Sequence, residues 1–529
     1  MKPLLLLSSL ALSAMNAVAQ QPATAPVASG PFQPSWESLA QYQTPEWFTD
    51  AKFGIWAHWT AQCVPEQGDW YARQLYVEGS ADNKFHVAKY GHPSTFGFKD
   101  IDNLWKAEKW EPEKLMALYQ RAGAKYFVAL ANHHDNFDCY DSKYQAWNSL
   151  RIGPKKDIVG LWEKAARGAG LRFGITVHAA RAWKWFEVAQ GSDKEGPQKG
   201  VPYDGKLTKA DGKGTWWDGL DPQDLYAQNH KPPVYGTDRK TVVTPGENPT
   251  REYCERFFNR TIDLVDKYKP DLLYFDDAIL PLNSSGPEWG LGIAAHLYNS
   301  SLKWNHGNNE AVMNTKRLNP EQSKCLVLDI ERGASERIEP QPWQTDTCIG
   351  SWHYKRSLFE QHGYKTPGIV IHMLVDIVSK NGNLLLNVPL RGDGTVDSDE
   401  VACLEGIAAW MKVNSEAIYG TRPWNTFGEG PTKPGKGKYG GVNDSADYTA
   451  ADIRFTTKHG SLYAICLGVP DAPTRIASLA KTEKPVANIE LLGSNEKISW
   501  KQGPEGLVIN PVKSWPCASA VVFKLSFAQ

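Results

Sequence analysis

The chain has 529 residues and a formal net charge of −1, a balance that gives no reason to expect nucleic acid or an anionic membrane as partner. That length exceeds the size at which a single core keeps growing, so one large domain with at least one smaller companion is expected. The 21 Trp and 21 Tyr offer flat faces suited to stacking on sugar rings, although most such rings fill cores and loop contacts.

Residues 1–19 read as a secretory signal peptide, with Met1-Lys2-Pro3, an apolar run from Leu4 and the small-residue exit Ala17-Val18-Ala19. Gln20 and Gln21 follow, where a lipid anchor would need cysteine, and residues 20–33 form a flexible lead-in. No later stretch approaches the run of about 20 apolar residues that a membrane span requires. The expectation is a secreted or periplasmic protein without membrane insertion.

Six short apolar runs then end in polar or aromatic residues: Lys52 to His58, Lys125 to His134, Leu171 to His178, Asp271 to Asp276, Cys325 to Glu331 and Asn383 to Val388. Their apolar residues are continuous rather than alternating, which predicts strands buried on both faces. Helical patterns lie between them at Pro112 to Gly123, Ile158 to Gly170 and Arg251 to Tyr268, the last stopping ahead of Pro270. Such alternation predicts parallel βα units, and the absence of a glycine-rich phosphate turn favours a (β/α)8-like barrel over an open doubly wound sheet.

A polar insertion from about Gly191 to Thr250 carries Trp216-Trp217 and is read as a loop over the rim of the barrel. The glycine-rich stretch Gly428 to Gly441 marks a boundary, dividing a barrel at 34–430 from a second domain at 431–529. Beyond it, Asp452 to Thr457, Ser461 to Leu467, Ile489 to Leu492, Leu507 to Ile509 and Ala520 to Phe527 read as short strands without helices, the pattern of a β-sandwich. Eight cysteines (63, 139, 254, 325, 348, 403, 466 and 517) show no metal-ligand spacing. Buried free thiols are expected for most, with no zinc site and no cofactor.

In a barrel of parallel strands the chemistry gathers at the carboxyl ends. His58, His133, His134, His178, Asp276 and Glu331 all end their runs, so this rule brings them to one pocket. Glycoside cleavage with retention needs two carboxyl groups about 5 to 5.5 Å apart, one attacking and one donating a proton. Asp276 suits the first role, the alternative being a helix cap or loop-fixing aspartate; Asp277 should point elsewhere. Glu331, Glu336 and Glu339 compete for the second. Arg332 and Arg337 interleave with them, so surface ion pairing is the plain alternative for Glu336 and Glu339. A true acid needs its pKa raised, and a neighbouring arginine does the opposite. Successive histidines at 133 and 134 cannot face the same way on a strand, unless the strand has already ended.

Longer motifs resemble the glycoside hydrolase family 29 α-L-fucosidases along nearly the whole mature length. They are Trp47 to Trp59 with Asp69-Trp70-Tyr71, Asn132-His133-His134-Asp135, Tyr274-Phe275-Asp276, Leu374 to Val388 with Gly392 to Thr395, and Glu416 to Thr421. The resemblance implies a retaining exo-α-L-fucosidase on a barrel with a C-terminal β-sandwich, acting on a fucosylated oligosaccharide or glycoconjugate without a metal. It carries the nucleophile onto Asp276 and fucose binding onto His58, Trp70, His133 and His134, with Asp69 in place of the family's usual glutamate; for the acid/base, which the family aligns poorly, Glu331 ranks first because the strand fixes it, then Glu336. Glu331-Arg332-Gly333, Trp343 to Cys348 and Ser351 to Tyr354 are similar to the branch favouring α1,3 and α1,4 linkages, adding Arg332 and Trp352 to the pocket. Asp277 departs from a common glycine, and His178, a further candidate for sugar binding, from a common aromatic or serine. A fucose-binding lectin on the same scaffold and a hydrolase for another sugar are the alternatives.

Overall fold

The computed structural model describes residues 24–528 apart from 228–229, 232–233, 236–241, 245 and 481–484. The expected signal peptide lies outside the described residues. Eight parallel strands close into a barrel, each beside the next in sequence: β1 (Phe53–Ala57), β2 (Tyr126–Asn132), β3 (Arg172–Val177), β4 (Leu272–Ala278), β5 (Val312–Lys316), β6 (Val327–Asp329), β7 (Trp343–Cys348) and β8 (Gly382–Asn387). Closure comes from β8 on β1, with Phe53 opposite Leu384. Gly54 is required where β1 passes β2, because a Cβ there would meet the Tyr126 ring at 2.3 Å.

The three helices expected from periodicity are present as α1 (Pro112–Ala122), α2 (Ile158–Gly168) and α3 (Arg251–Tyr268). Each has a local start or stop signal: proline in the first turn of α1, Asp157 accepting from the Gly160 amide at α2, and Thr250 accepting from the Tyr253 amide at α3. Lys269 adopts φ 46° after α3 and Pro270 follows, so the chain turns there as anticipated. Three more helices continue the outer layer, α4 (Glu288–Trp304), α5 (Pro367–Ser379) and α6 (Ser398–Asn414), the last opened by a capping box between Asp397 and Glu400. Only a single 3-10 turn, Gln322–Lys324, follows β5, and no helix joins β6 to β7. That flank of the barrel mouth therefore lacks the usual helical wall.

Within the insertion, Trp216 donates its indole N–H to Asp100 (2.8 Å) and meets Trp147 edge-on, while Trp217 is buried beneath Lys99, so both rings pack on the segments that follow β1 and β2.

The C-terminal part is antiparallel throughout. β9 (Arg422–Glu429), β10 (Ile453–Lys458), β11 (Ser461–Cys466), β13 (Val486–Leu491) and β16 (Val521–Phe527) form one sheet, in the order β9-β10-β11-β16-β13. The second, ordered β12-β15-β14, contains β12 (Thr474–Ile476), β14 (Trp500–Gly503) and β15 (Gly506–Ile509). β11 shows why this is a sandwich docked on a barrel: Leu462, Ala464 and Cys466 join the core between the sheets, whereas Tyr463, Ile465 and Leu467 join that of the barrel. A buried ion cluster ties the two units, Asp376 of α5 accepting from Lys380 (2.7 Å) and from Arg454 of β10 (2.6 Å). The glycine-rich stretch runs between β9 and β10, two paired strands of one sheet. All eight cysteines are free thiols and seven are buried.

Candidate active site

At the carboxyl ends of the strands lies a cavity of about 800 Å³. Its wall includes His58, Asp69, Trp70, His133, His134, His178, Asp276, Glu331, Arg332 and Trp352, so nearly every residue singled out from the sequence meets here. Glu336 does not. It is exposed on the loop beyond, outside the cavity, and Glu339 accepts from Ser335 (2.6 Å) and Arg337 (3.3 Å). Of the three glutamates, only Glu331 reaches the site, because it stands two residues beyond the end of β6.

The histidines are placed by strand ends. β2 stops at Asn132, which frees both following residues to turn inward, and the His133 and His134 rings lie 4.3 Å apart in the cavity wall. Gln62 donates to His133 Nδ1 (3.0 Å), leaving its Nε2–H for the cavity. His134 donates Nδ1–H to the His178 carbonyl (3.0 Å), which aims Nε2 at Asp276 Oδ2, 3.4 Å away. Burial, reinforced by neighbouring imidazoles, holds His58 and His133 neutral, well below the usual histidine range. Burial does the same to His178 against the opposing charge of Asp276. Neutral rings both accept and donate, which is what recognition of sugar hydroxyls asks of them. Two groups also place ligand atoms within 4.8 Å of one another as a metal would need: His58 with His133 and His178, and His134 with His178 and Asp276.

The aromatic floor is Trp56, whose ring lies 3.9 Å from His58 and 5.6 Å from Trp352. Trp70 stands 47% exposed at the rim with φ 66°, beside Asp69, which accepts from the His353 amide (2.8 Å). Burial would raise Asp69, but the hydrogen bonds and charge of His353 outweigh it and the carboxyl is lowered.

Asp276 sits inside β4 among four cationic or imidazole groups. Lys316 Nζ is 2.5 Å from Oδ1, while Oδ2 faces His134, Arg181 (3.6 Å) and His178 (3.8 Å). Burial alone would push this carboxyl up; Lys316, His134, His178 and Arg181 instead hold it well below the usual carboxylate range. Lys316 also hydrogen-bonds Glu331. Two carboxyl oxygens bonded to one nitrogen are separated by at most about 5 Å, the spacing of a retaining pair. Glu331 nevertheless ends above its ordinary value, because burial and the charge of Asp346 exceed the help from Lys316. The Arg332 guanidinium lies 5.0 Å over the Trp352 ring and 3.0 Å from Cys348 Sγ.

Several wall residues were missed from sequence. Lys316 ends β5, whose Val312-Met313-Asn314-Thr315-Lys316 is too polar to read as a buried strand. Arg181 lies in the 3-10 turn after His178 and reaches both Asp276 and Asp277. Asp277 points away from the cavity wall as expected, its Oδ2 buried without a hydrogen-bond partner, and burial pushes it up to about 6 against Arg181. Asp346, accepting from Tyr274 (3.0 Å), and the glycine-rich segment Lys438 to Gly441 complete the wall. The strand-end rule could not reach Lys316, whose strand was not legible, and no signal existed for the segment at 438–441.

Two family descriptions match this chain, Alpha-L-fucosidase over residues 19–416 and Alpha-L-fucosidase C-terminal domain over residues 445–526. It is 26% identical over 511 residues to the tissue alpha-L-fucosidase of Rattus norvegicus, covering 94% of this chain and 92% of that protein. With the plasma alpha-L-fucosidase of Homo sapiens it shares 27% over 493 residues, covering 89% and 86%. Among solved structures it is similar to the Thermotoga maritima alpha-fucosidase in complex with a mechanism-based inhibitor, with a TM-score of 0.69 and 27% identity over 93% of this chain and 99% of that one. A closed eight-stranded parallel barrel, a histidine- and tryptophan-lined mouth, and family matches across both units lead to one conclusion: the chain belongs to the alpha-L-fucosidase family of glycoside hydrolases.

Proposed function

We propose that this enzyme is a retaining exo-α-L-fucosidase in which Asp276 attacks the anomeric carbon of a terminal fucose and Glu331 first protonates the departing oxygen, then activates water. The observation that carries this reading is Lys316, bonded at once to both carboxyl groups, which requires them to be about 5 Å apart or less. Their environments also divide the roles: the carboxyl ringed by cations is kept ionised for attack, and the one beside Asp346 is raised toward holding a proton. His58, Asp69, Trp70, His133, His134 and His178 would hold the fucose ring, with Arg332 and Trp352 at the side where the rest of the glycan leaves. Neither the lectin nor a hydrolase for another sugar is favoured, since both family matches are to α-L-fucosidases.

The decisive experiment is Asp276→Ala on an aryl α-L-fucoside, with proton NMR of the first sugar released by the native enzyme. Turnover should fall by a factor of about 10⁴ or more, azide should restore it as the β-fucosyl azide, and the native product should appear as the α anomer. Ordinary turnover by the variant, or a β product from the native enzyme, overturns the assignment.

Preference for α1,3 and α1,4 linkages is proposed on the Glu331-Arg332-Gly333 and Ser351 to Tyr354 motifs, with Arg332 stacked on Trp352 as their meeting point. Comparing α1,2-, α1,3-, α1,4- and α1,6-fucosylated oligosaccharides tests it; faster turnover of the α1,2 or α1,6 compounds rules it out. Export is proposed on the charged start, apolar run and small-residue exit of residues 1–19. N-terminal sequencing of the mature protein should begin at about residue 20.

A further inference from the structure

The segment 435–443 belongs to the C-terminal unit in sequence, yet it closes the flank of the mouth that lacks a helix. It is a small hairpin. The Gly437 amide donates to the Gly441 carbonyl (2.9 Å) and the Asn443 amide to the Gly435 carbonyl (2.7 Å), leaving Lys438, Tyr439 and Gly440 at the tip. Its far strand is sewn onto the loop carrying Glu331, with Ala334 and Val442 exchanging both backbone hydrogen bonds (2.9 and 2.8 Å).

The fit depends on glycines: a Cβ on Gly333 would meet the Gly440 carbonyl at 2.2 Å, and one on Gly441, at φ 59°, the Ala334 carbonyl at 2.1 Å. Such contacts hold the tip at a fixed place relative to Glu331. Lys438, Tyr439, Gly440 and Gly441 all line the cavity, and the Tyr439 ring is 49% exposed beneath the Lys438 ammonium, 5.1 Å from its centroid.

In a double displacement the leaving group departs on the face opposite the nucleophile and on the side of the proton donor. What adjoins Glu331 away from Asp276 therefore adjoins the leaving group. We propose that the hairpin tip is the leaving-group subsite, with the Tyr439 ring stacking on the sugar to which fucose is attached and the Lys438 ammonium hydrogen-bonding its hydroxyl or acetamido oxygens. Linkage selectivity is then set partly by the C-terminal unit. This inference rests on the roles given to Asp276 and Glu331 above.

The test compares two substrates of the full-length enzyme: a fucosylated trisaccharide, whose leaving group can reach the tip, and α-L-fucosyl fluoride, whose single-atom leaving group cannot. In Tyr439→Ala the ratio of kcat/KM for trisaccharide to that for fluoride should fall about tenfold, the loss of one ring stack, and Tyr439→Phe should restore it. An unchanged ratio, whether both rates fall or neither does, overturns the proposal, as does a failure of Tyr439→Phe to restore it. Failure of the roles given to Asp276 and Glu331 reads out separately, as ordinary turnover by Asp276→Ala or as equal losses on both substrates in Glu331→Gln.

Discussion

Replacing Lys316 by methionine removes the cation hydrogen-bonded to both Asp276 and Glu331 and keeps most of the length of the side chain. At an effective dielectric of about 20, unit charges about 4 Å apart interact by about 4 kcal/mol. One pKa unit is about 1.4 kcal/mol, so each carboxyl should rise by up to about three units. The acid limb of kcat/KM follows ionisation of Asp276, held well below the usual range by Lys316 and its neighbours; the alkaline limb follows loss of the Glu331 proton, already raised by burial. Taking away positive charge disfavours both ionised forms, so both limbs must move to higher pH, by at least about one unit. The assay is kcat/KM on an aryl α-L-fucoside across pH 3 to 10, for native enzyme, Lys316→Met and Lys316→Arg. An alkaline limb that stays in place or moves to lower pH in Lys316→Met refutes the electrostatic reasoning. The arginine variant, which keeps the charge, should retain the native limbs.

Glu331→Gln should slow hydrolysis of a glycoside with a poor leaving group by about 10² to 10⁴, and that of fucosyl fluoride far less, because fluoride leaves with little protonation; equal losses on both would remove Glu331 from the acid role. Asp277 is raised to about 6 in the folded enzyme, so the folded state holds its proton after the unfolded chain has released it, and stability is lost as pH rises from about 4 to about 6. Thermal unfolding of Asp277→Asn should therefore show a gain over native enzyme growing across that window, up to about 3 kcal/mol by pH 7, whereas a gain confined to pH below 4 would contradict the sign. Asp376→Ala leaves the buried Lys380 and Arg454 without their shared carboxylate; denaturant titration should show a loss of about 3 kcal/mol, and a change under 1 kcal/mol would mean that the cluster does not hold the two units together.

Six of the eight barrel strands were legible because apolar residues cover both of their faces; β5 and β7 were not, and the reason lies inside the barrel. β7 carries Gln344 and Asp346 inward, where Gln344 accepts from Tyr126 (3.0 Å) and donates to Asp329 (2.8 Å), and Asp346 accepts from Tyr274. A strand whose inner face feeds a hydrogen-bonded column beneath the active site has no apolar run to recognise. The same fact hid Lys316, because the rule that chemistry sits at strand ends finds only residues on strands already seen. That rule brought His58, His178, Asp276 and Glu331 to the cavity wall, while Trp216 and Trp217 pack on Asp100, Trp147 and Lys99 and are not part of that wall. Long-range closure lies beyond periodicity altogether: the hairpin at 435–443 meets Gly333 about a hundred positions away, and its glycines read as a domain boundary because close packing and a boundary call for the same residue.

The polar column also explains how one buried pocket holds one carboxyl well below the usual carboxylate range and raises another. Asp276, Glu331, Asp329 and Asp346 share the interior with Lys316, and Arg181 stands at its edge against Asp276. Desolvation acts on Asp276, Glu331 and Asp329, and two cations do not balance the negative charges gathered there, which favours retention of protons in the cluster. Contact decides where. Asp276 takes both cations and two imidazoles and stays ionised, while Asp329, pressed against Asp346, is raised well above the usual range. Glu331 has half of Lys316 and the charge of Asp346 against it. On the roles proposed for Asp276 and Glu331, a shortage of cations beneath the mouth of the barrel is what favours an acid for the first step, and a chain that paired every buried carboxylate there would have a nucleophile but no proton to give.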